Sequence, residues 1–133
     1  MSDWMPKDRA LLMPFLHVQD IDQALSFYEG AFGFVRTGLN LDEQGKTQHA
    51  ELEYHGAVVA MLTPRSARPG SRGAGSSPEV AVYLQDVDAA YRKALQRGAK
   101  GVEAPRDLPW GERIGLIQDP DGHPWLLVQA ASG

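Results

Sequence analysis

The chain has 133 residues, of which 43% are hydrophobic and 23% are charged, which is the composition of an ordinary globular domain. It contains no cysteine, which excludes disulfides, thiolate metal sites and a cysteine nucleophile. The sequence has no apolar run near the ~20 residues of a membrane span and no signal-peptide pattern, so we predict a cytoplasmic protein. Its net charge of -4 favours a small-molecule partner over nucleic acid or membrane.

The first half of the chain has the pattern of a strand, a helix and three further strands. Alternating apolar residues predict a strand over 12–18, and Asp20 then provides a helix N-cap that accepts from first-turn amides. Apolar residues at helical spacing follow, and Gly33 supplies the helix stop. The three strands are predicted at 34–41, 47–54 and 57–63, with a tight turn at His55-Gly56 between the last two.

The second half repeats this order at a constant offset of 66 residues. Asp20 maps onto Asp86, and Gly56 maps onto Gly122. The repeated elements are a strand at 80–84, a helix capped by Asp86 and ended at Gly98, and strands at 100–103, 112–118 and 123–129. Each half is therefore predicted to be one βαβββ unit.

These elements define the predicted organisation. The whole chain, 1–133, is predicted to be one domain with a first unit at 10–63 and a second at 79–130. The stretch between them, 64–78, is rich in Gly, Ser, Pro and Arg and lacks apolar periodicity. We predict a flexible linker there, with an ordered lid as the alternative.

Three stretches of this sequence together carry a specific pattern: HVQDIDQALSFYEGAFGF in the first unit, LQDVDAAYRKALQRGA in the second, and the closing PWGERIGLIQDPDGHPWLL. They resemble the vicinal-oxygen-chelate superfamily, which contains glyoxalase I, bleomycin resistance proteins and extradiol dioxygenases. The resemblance implies an α+β fold in which paired βαβββ units form a U-shaped mixed sheet around a cavity, commonly in a homodimer. In metal-dependent members it implies one divalent ion held by His, Gln or Glu from four strands.

The four ligand positions of the family are not filled by metal ligands in this sequence. By the family pattern and the offset of 66 residues, they fall on Met13, Ala60, Glu79 and Leu126. Thioether and aliphatic groups do not bind such an ion, and a single carboxylate cannot chelate it. The sequence therefore resembles the metal-free bleomycin-resistance branch most, and we predict neither a metal nor another cofactor.

Strand alternation and the hairpin at His55-Gly56 predict which side chains line the cavity. The hairpin register places Glu53 opposite Val58, Glu51 opposite Ala60 and His49 opposite Leu62. The predicted lining residues are Met13, Phe15, His17, His49, Glu51, Ala60, Leu62, Glu79, Tyr83, Arg113, Ile117, Leu126 and Val128, with Trp110 near the rim. The opposite periodicity predicts Trp125 and Phe27 between helix and sheet, and the turns predict His55 and His123 at the surface.

Two hypotheses for function follow. The first is a protein that binds and sequesters a small aromatic or cationic compound without altering it, because the predicted lining is apolar and aromatic with more carboxylate than arginine. This agrees with the resemblance to proteins of antibiotic resistance. The second is an enzyme of the same superfamily, a lyase, isomerase or dioxygenase. It would use a displaced metal at His17, His49, Glu51 and Glu53, or acid–base chemistry by Glu51 or Glu79 beside His17.

Overall fold

The computed structural model describes residues 13–64 and 78–131, which form two βαβββ units around one hydrophobic core. The first unit consists of β1 (Phe15–Val18), α1 (Ile21–Phe32), β2 (Val35–Leu41), β3 (Thr47–Tyr54) and β4 (Ala57–Pro64). The second consists of β5 (Val80–Tyr83), α2 (Val87–Gln96), β6 (Lys100–Asp107), β7 (Arg113–Gln118) and β8 (Pro124–Gln129). The predicted α+β class and the duplication are confirmed, while residues 65–77 of the predicted linker lie outside the described residues.

Both helices begin where the sequence predicts, because an aspartate caps each of them. Asp20 Oδ1 accepts from the amide of Gln23 at 3.0 Å, and Asp86 Oδ1 accepts from that of Ala89 at 3.1 Å. The first helix ends at Gly33, whose φ of 79° is a left-handed conformation that glycine adopts without strain. Within the described ranges, neither helix is both long and apolar enough to cross a membrane.

Each unit forms a four-stranded mixed sheet, with strand orders β1-β4-β3-β2 and β5-β8-β7-β6. The first strand of each unit runs parallel to the last, and the other neighbours are antiparallel. Helix α1 packs on one face of the first sheet, and α2 packs on one face of the second. The opposite face of each sheet is not covered by either helix.

The core joins the two units through Trp125 of β8, which is 2% exposed. Its indole contacts Tyr28 and Phe32 of the other unit's helix, with ring centroids 5.4 and 5.1 Å away, and Phe34 at 6.0 Å. Phe27 is buried beside Tyr28 and Phe32 in the same cluster. The predicted burial of Trp125 and Phe27 is therefore confirmed, and the indole also bridges the two units.

The hairpin register predicted from the sequence is correct at its first pair and wrong beyond it. Glu53 lies opposite Val58 as predicted, but the register then shifts, and Val59 is an extra residue in the β3–β4 ladder. The observed partners are Met61 for Glu51, Ala60 for Leu52 and Leu62 for Ala50.

Beyond this bulge, the residues of β4 lie on the opposite faces of the sheet from those predicted. Ala60 and Leu62, predicted to line the cavity, instead lie fully buried in the core, and Met61 takes the opposite face. Met61 pairs with Phe15 of β1 in the way that Leu126 pairs with Ala81 of β5. The offset between the repeats is therefore 65 residues along this strand, as from Met61 to Leu126, rather than 66.

Candidate functional site

The face of the first sheet opposite α1, which we call the open face, carries a group of aromatic and imidazole side chains. Strand register places Phe15, Met61 and Glu51 in one row across β1, β4 and β3. The ring of Phe15 lies 5.4 Å from that of His17 and 5.9 Å from that of His49, measured between centroids. Phe15 is 36% exposed, and the other four residues are half-buried. We call these five residues the open-face cluster.

The carboxylate of Glu51 lies against the backbone of β2 at Gly38. A β-carbon at position 38 would stand 2.5 Å from Glu51 Oε1, and Gly38 has a left-handed φ of 56°. Both the close approach and the backbone conformation favour glycine at this position. The chain therefore keeps space at this point for the Glu51 carboxylate.

The first sheet separates its charged groups between its two faces. Glu51 and Glu53 lie on the open face, whereas Arg36 of β2 pairs with Glu29 of α1 on the helix side. Arg36 Nε and Nη2 donate to the two oxygens of Glu29 at 2.9 and 2.8 Å, and these bonds lower the pKa of Glu29. Arg36 is the single lysine or arginine in β1 to β4, and its guanidinium lies on the helix side.

Two residues of β7 that were predicted to line the cavity point the other way. Ile117 pairs with Trp125 and is fully buried in the core. Arg113, four residues earlier on the same side of the strand, donates to both oxygens of Asp88 in α2 at 2.7 and 2.9 Å and to Asp107 at 3.0 Å. The predicted cavity positions of Ile117 and Arg113 are therefore wrong, because the β7–β8 register puts odd-numbered residues of β7 on the helix side.

Replacing Arg113 by methionine is expected to destabilise the protein modestly and to leave binding at the open face unchanged. The hydrogen bonds from Arg113 lower the pKa of Asp88. Their stabilising effect is therefore present above the usual aspartate pKa of about 4 and is lost as pH falls through the lower folded-state value. Melting temperatures should differ between Arg113→Met and the unsubstituted protein at pH 7, and the difference should shrink in acid and in molar salt. Lys100→Met is the control, because Lys100 is exposed. An equal loss of melting temperature in Lys100→Met would contradict a stabilising role for the Arg113 hydrogen bonds.

The remaining predicted positions are spread over both units. Met13, just before β1, and Leu126 are half-buried, whereas Glu79 and Tyr83 are exposed at β5. Trp110 is 67% exposed in the loop between β6 and β7. Val128 of β8, also predicted to line the cavity, is buried. A ligand-binding role for these six residues stays a prediction.

The residues at the family's metal positions do not fit a divalent ion. With the corrected register, three of the four positions hold Met13, Met61 and Leu126, and only Glu79 offers an oxygen donor. The alternative metal site at His17, His49, Glu51 and Glu53 gains no support either. Among residues 13–64 and 78–131, no three His, Asp or Glu side chains are grouped so that they could hold one ion.

The turn between β7 and β8 holds the two units together, a role that sequence reasoning missed. The buried Asp119 accepts through Oδ1 from the amides of Asp121 and His123 at 3.0 and 2.9 Å. Through Oδ2 it accepts from the hydroxyl of Tyr28 in α1 and from Trp125 Nε1. Burial, followed by the negative charge of Asp119, raises the pKa of Tyr28 well above its usual value, so Tyr28 stays a donor.

His123, predicted at the surface, is only 3% exposed, because its ring enters the junction between the units. Its Nε2 lies 2.9 Å from the carbonyl oxygen of His17, and since a carbonyl only accepts, Nε2 carries the proton. Asp121 Oδ1 accepts from the amide of Gln19 at 2.8 Å. His55 is exposed at its turn, as predicted. The sequence did contain a signal for this turn. Asp119 precedes Asp121 by two residues and His123 by four, and at this spacing an aspartate side chain often accepts from the backbone amides of its own turn.

Two surface grooves lie elsewhere on the molecule. The larger, of about 970 Å³, runs between the start of α1 and the end of α2, and the smaller, of about 510 Å³, lies between the opposite ends of these helices. Neither contains a residue of the open-face cluster. Two carboxylates of the larger groove already serve the fold, since Asp20 caps α1 and Asp121 binds the amide of Gln19. We therefore assign the candidate site by the chemistry of the open face rather than by groove volume.

Comparison with known proteins finds relatives along nearly the whole chain. Residues 10–127 match the sequence profile of the Glyoxalase/Bleomycin resistance protein/Dioxygenase superfamily. An uncharacterised protein of Mycobacterium bovis is 38% identical over 125 residues, which cover 89% of this chain and 82% of that protein. Among solved structures, TioX from Micromonospora sp. ML1 is 27% identical with a TM-score of 0.69, over 93% of this chain and 98% of TioX. A glyoxalase I mutant from Zea mays is 25% identical with a TM-score of 0.71, over 90% of this chain and 46% of that one.

Proposed function

Because the chain belongs to the glyoxalase/bleomycin resistance protein/dioxygenase superfamily, we propose that it binds a small aromatic or cationic compound on its open face and sequesters it unchanged. The observation that carries this proposal is the open-face cluster, in which the half-exposed ring of Phe15 stands beside two imidazoles and a carboxylate. Superfamily membership leaves the chemistry open, because this scaffold serves unrelated activities. The cluster therefore supplies the argument about the ligand.

The cluster favours a ligand that is both planar and positively charged. The face of Phe15 offers stacking or cation–π contact of about 0.5–2 kcal/mol. Glu51 adds a carboxylate to that face, and the guanidinium of Arg36 lies on the opposite, helix side of the sheet. With Arg113 bound to Asp88 on the helix side, the one guanidinium expected to line the cavity is also removed.

The proposal involves no metal ion, since three of the four family positions offer no suitable donor atom. The alternative is acid–base catalysis in which His17, Glu51 or Glu79 moves a proton on the bound compound. Recovery of the compound unchanged after prolonged incubation would favour binding over catalysis. A homodimer and a cytoplasmic location stay predictions, and the exposed side chains of Val35, Leu41 and Tyr83 support the first of them.

A matched pair of fluorescent probes tests the proposal. Pyrenemethylammonium and pyrenesulfonate share one aromatic ring system and carry opposite charges. We expect the cation to bind saturably and at least tenfold more tightly than the anion. Phe15→Ala should weaken both probes about tenfold, because each loses ring contact. Glu51→Gln should weaken the cation three- to tenfold and leave the anion unchanged or slightly tighter.

Glu43→Gln is the matched control, because Glu43 is an exposed carboxylate in the turn between β2 and β3. It should leave the dissociation constants of both probes unchanged. Circular dichroism would show that Phe15→Ala and Glu51→Gln keep the fold. Absence of saturable binding, or binding that neither Phe15→Ala nor Glu51→Gln alters, would overturn the proposal.

A further inference from the structure

We infer that His123 is a positioning residue for the open-face cluster: from the second unit, it holds the strand that carries Phe15 and His17. This inference rests on the proposed function, because it gives His123 a role at that site. His123 itself lies at the junction of the units and does not belong to the cluster. Its effect on a ligand would act through the backbone of β1.

The strand β1 has four residues, and within the described part of the chain it forms one edge of the first sheet. The carbonyl of Pro14 accepts from the amide of Met61 in β4 at 3.0 Å. Backbone polar groups alternate between the two sides of a strand, so those of His17 and Gln19 point away from β4. Four residues form few hydrogen bonds to β4, so partners for the outer backbone groups of His17 and Gln19 also fix the strand.

The turn between β7 and β8 supplies those partners. His123 Nε2 donates to the carbonyl of His17 at 2.9 Å, and the amide of Gln19 donates to Asp121 Oδ1 at 2.8 Å. These two bonds lie on either side of Val18, whose side chain is fully buried. Because Asp119 accepts from the amides of both Asp121 and His123, the turn presents its two groups in a fixed arrangement.

The position of β1 determines the spacing within the cluster. Phe15 and His17 project from this edge strand, whereas His49 and Glu51 belong to β3, which has a strand on each side. Opening or sliding of β1 would move the first pair of side chains against the second. Holding the carbonyl of His17 therefore maintains the ring separations of 5.4 and 5.9 Å in the cluster.

Amide hydrogen exchange of the intact chain, measured by NMR without ligand, tests this inference. His123→Leu removes the donor while keeping an apolar side chain, and His123→Gln keeps an N–H donor. We expect exchange at Gln19 to accelerate about tenfold in His123→Leu, and to return to within about threefold of the unsubstituted rate in His123→Gln. The amide of Leu127, in a central strand of the second sheet, reports global unfolding as the internal reference.

Binding of pyrenemethylammonium provides the second readout. It should weaken three- to tenfold in His123→Leu and recover in His123→Gln. Exchange at Gln19 that stays unchanged, or that rises only in step with Leu127, would overturn the inference, as would a failure of glutamine to rescue. If the unsubstituted protein does not bind the probe, the proposed function fails, while the exchange result still decides whether His123 holds β1.

Discussion

Replacement of Trp125 by alanine is expected to lower the free energy of unfolding by about 4 kcal/mol. The indole is 2% exposed and packs against Tyr28, Phe32 and Phe34, so its removal leaves a cavity at the junction of the two units. It also removes a donor to the buried Asp119. Since small domains are stable by only 5–15 kcal/mol, the melting temperature should fall by roughly 15 °C. Urea unfolding followed by circular dichroism measures the change.

Trp110→Ala provides the matched control, because it deletes the same side chain from an exposed loop. Trp110 is 67% exposed, and its Nε1 bonds only to the neighbouring Glu112 in the described structure. Its removal should change the free energy of unfolding by less than about 0.5 kcal/mol. An equal loss of unfolding free energy in Trp110→Ala and Trp125→Ala would show that the indole of Trp125 does not join the two units.

Replacement of Asp119 by alanine is expected to cost about 3 kcal/mol of stability. The substitution leaves four donors without their acceptor: the hydroxyl of Tyr28, the indole of Trp125, and the amides of Asp121 and His123. Each buried donor that loses its partner costs about 1–3 kcal/mol, and partial entry of water reduces the sum. The midpoint and slope of urea unfolding would measure the loss.

Asp42→Ala is the control for this second substitution. Asp42 also accepts from two backbone amides and one side chain, those of Gln44, Lys46 and Gln48, but it lies half-buried at a turn. Water can replace its carboxylate there, so the expected cost is about 1 kcal/mol. A loss in Asp119→Ala no larger than that in Asp42→Ala would refute the proposed importance of the turn.

The contrast between the two faces of the first sheet connects the fold with the proposed function. The helix side is apolar and carries the Arg36–Glu29 pair, so its charges are neutralised within the unit. The open face presents the ring of Phe15 and the carboxylate of Glu51. A fold that covers one face of each sheet with its helix can thus vary the side chains of the other face by substitutions that do not touch the core.

Local signals in the sequence predicted the order of the elements and most of their bounds, although β6 extends to Asp107, beyond the predicted 100–103. The caps Asp20 and Asp86 and the stop at Gly33 act within one turn of a helix, so their effect does not depend on the rest of the chain. The strand β3 is observed at 47–54, as predicted, because alternation and the flanking turns define it. The open-face positions of Phe15, His17, His49 and Glu51 also followed from alternation alone.

Errors arose where one residue of register decides which face a side chain occupies. The bulge at Val59 turned Ala60 and Leu62 into the core and brought Met61 to the open face. In β7, pairing of Arg113 with Gln129 and of Ile117 with Trp125 places both on the helix side rather than in the predicted cavity. Strand alternation has a period of two, so a shift of one residue exchanges the faces, and nothing in the repeat offset reveals such a shift.

By itself, the sequence determined the two βαβββ units and their helix boundaries, because these depend on short-range spacing. It also determined that three of the four family positions lack metal ligands, because this depends on residue chemistry. Only the tertiary structure decided that His123 is buried and bound to His17, residues 106 positions apart in the chain. It also decided that Asp119 and Trp125 join the second unit to the first. Such contacts form when two separately patterned surfaces meet, and their partners cannot be identified from the periodicity of either surface.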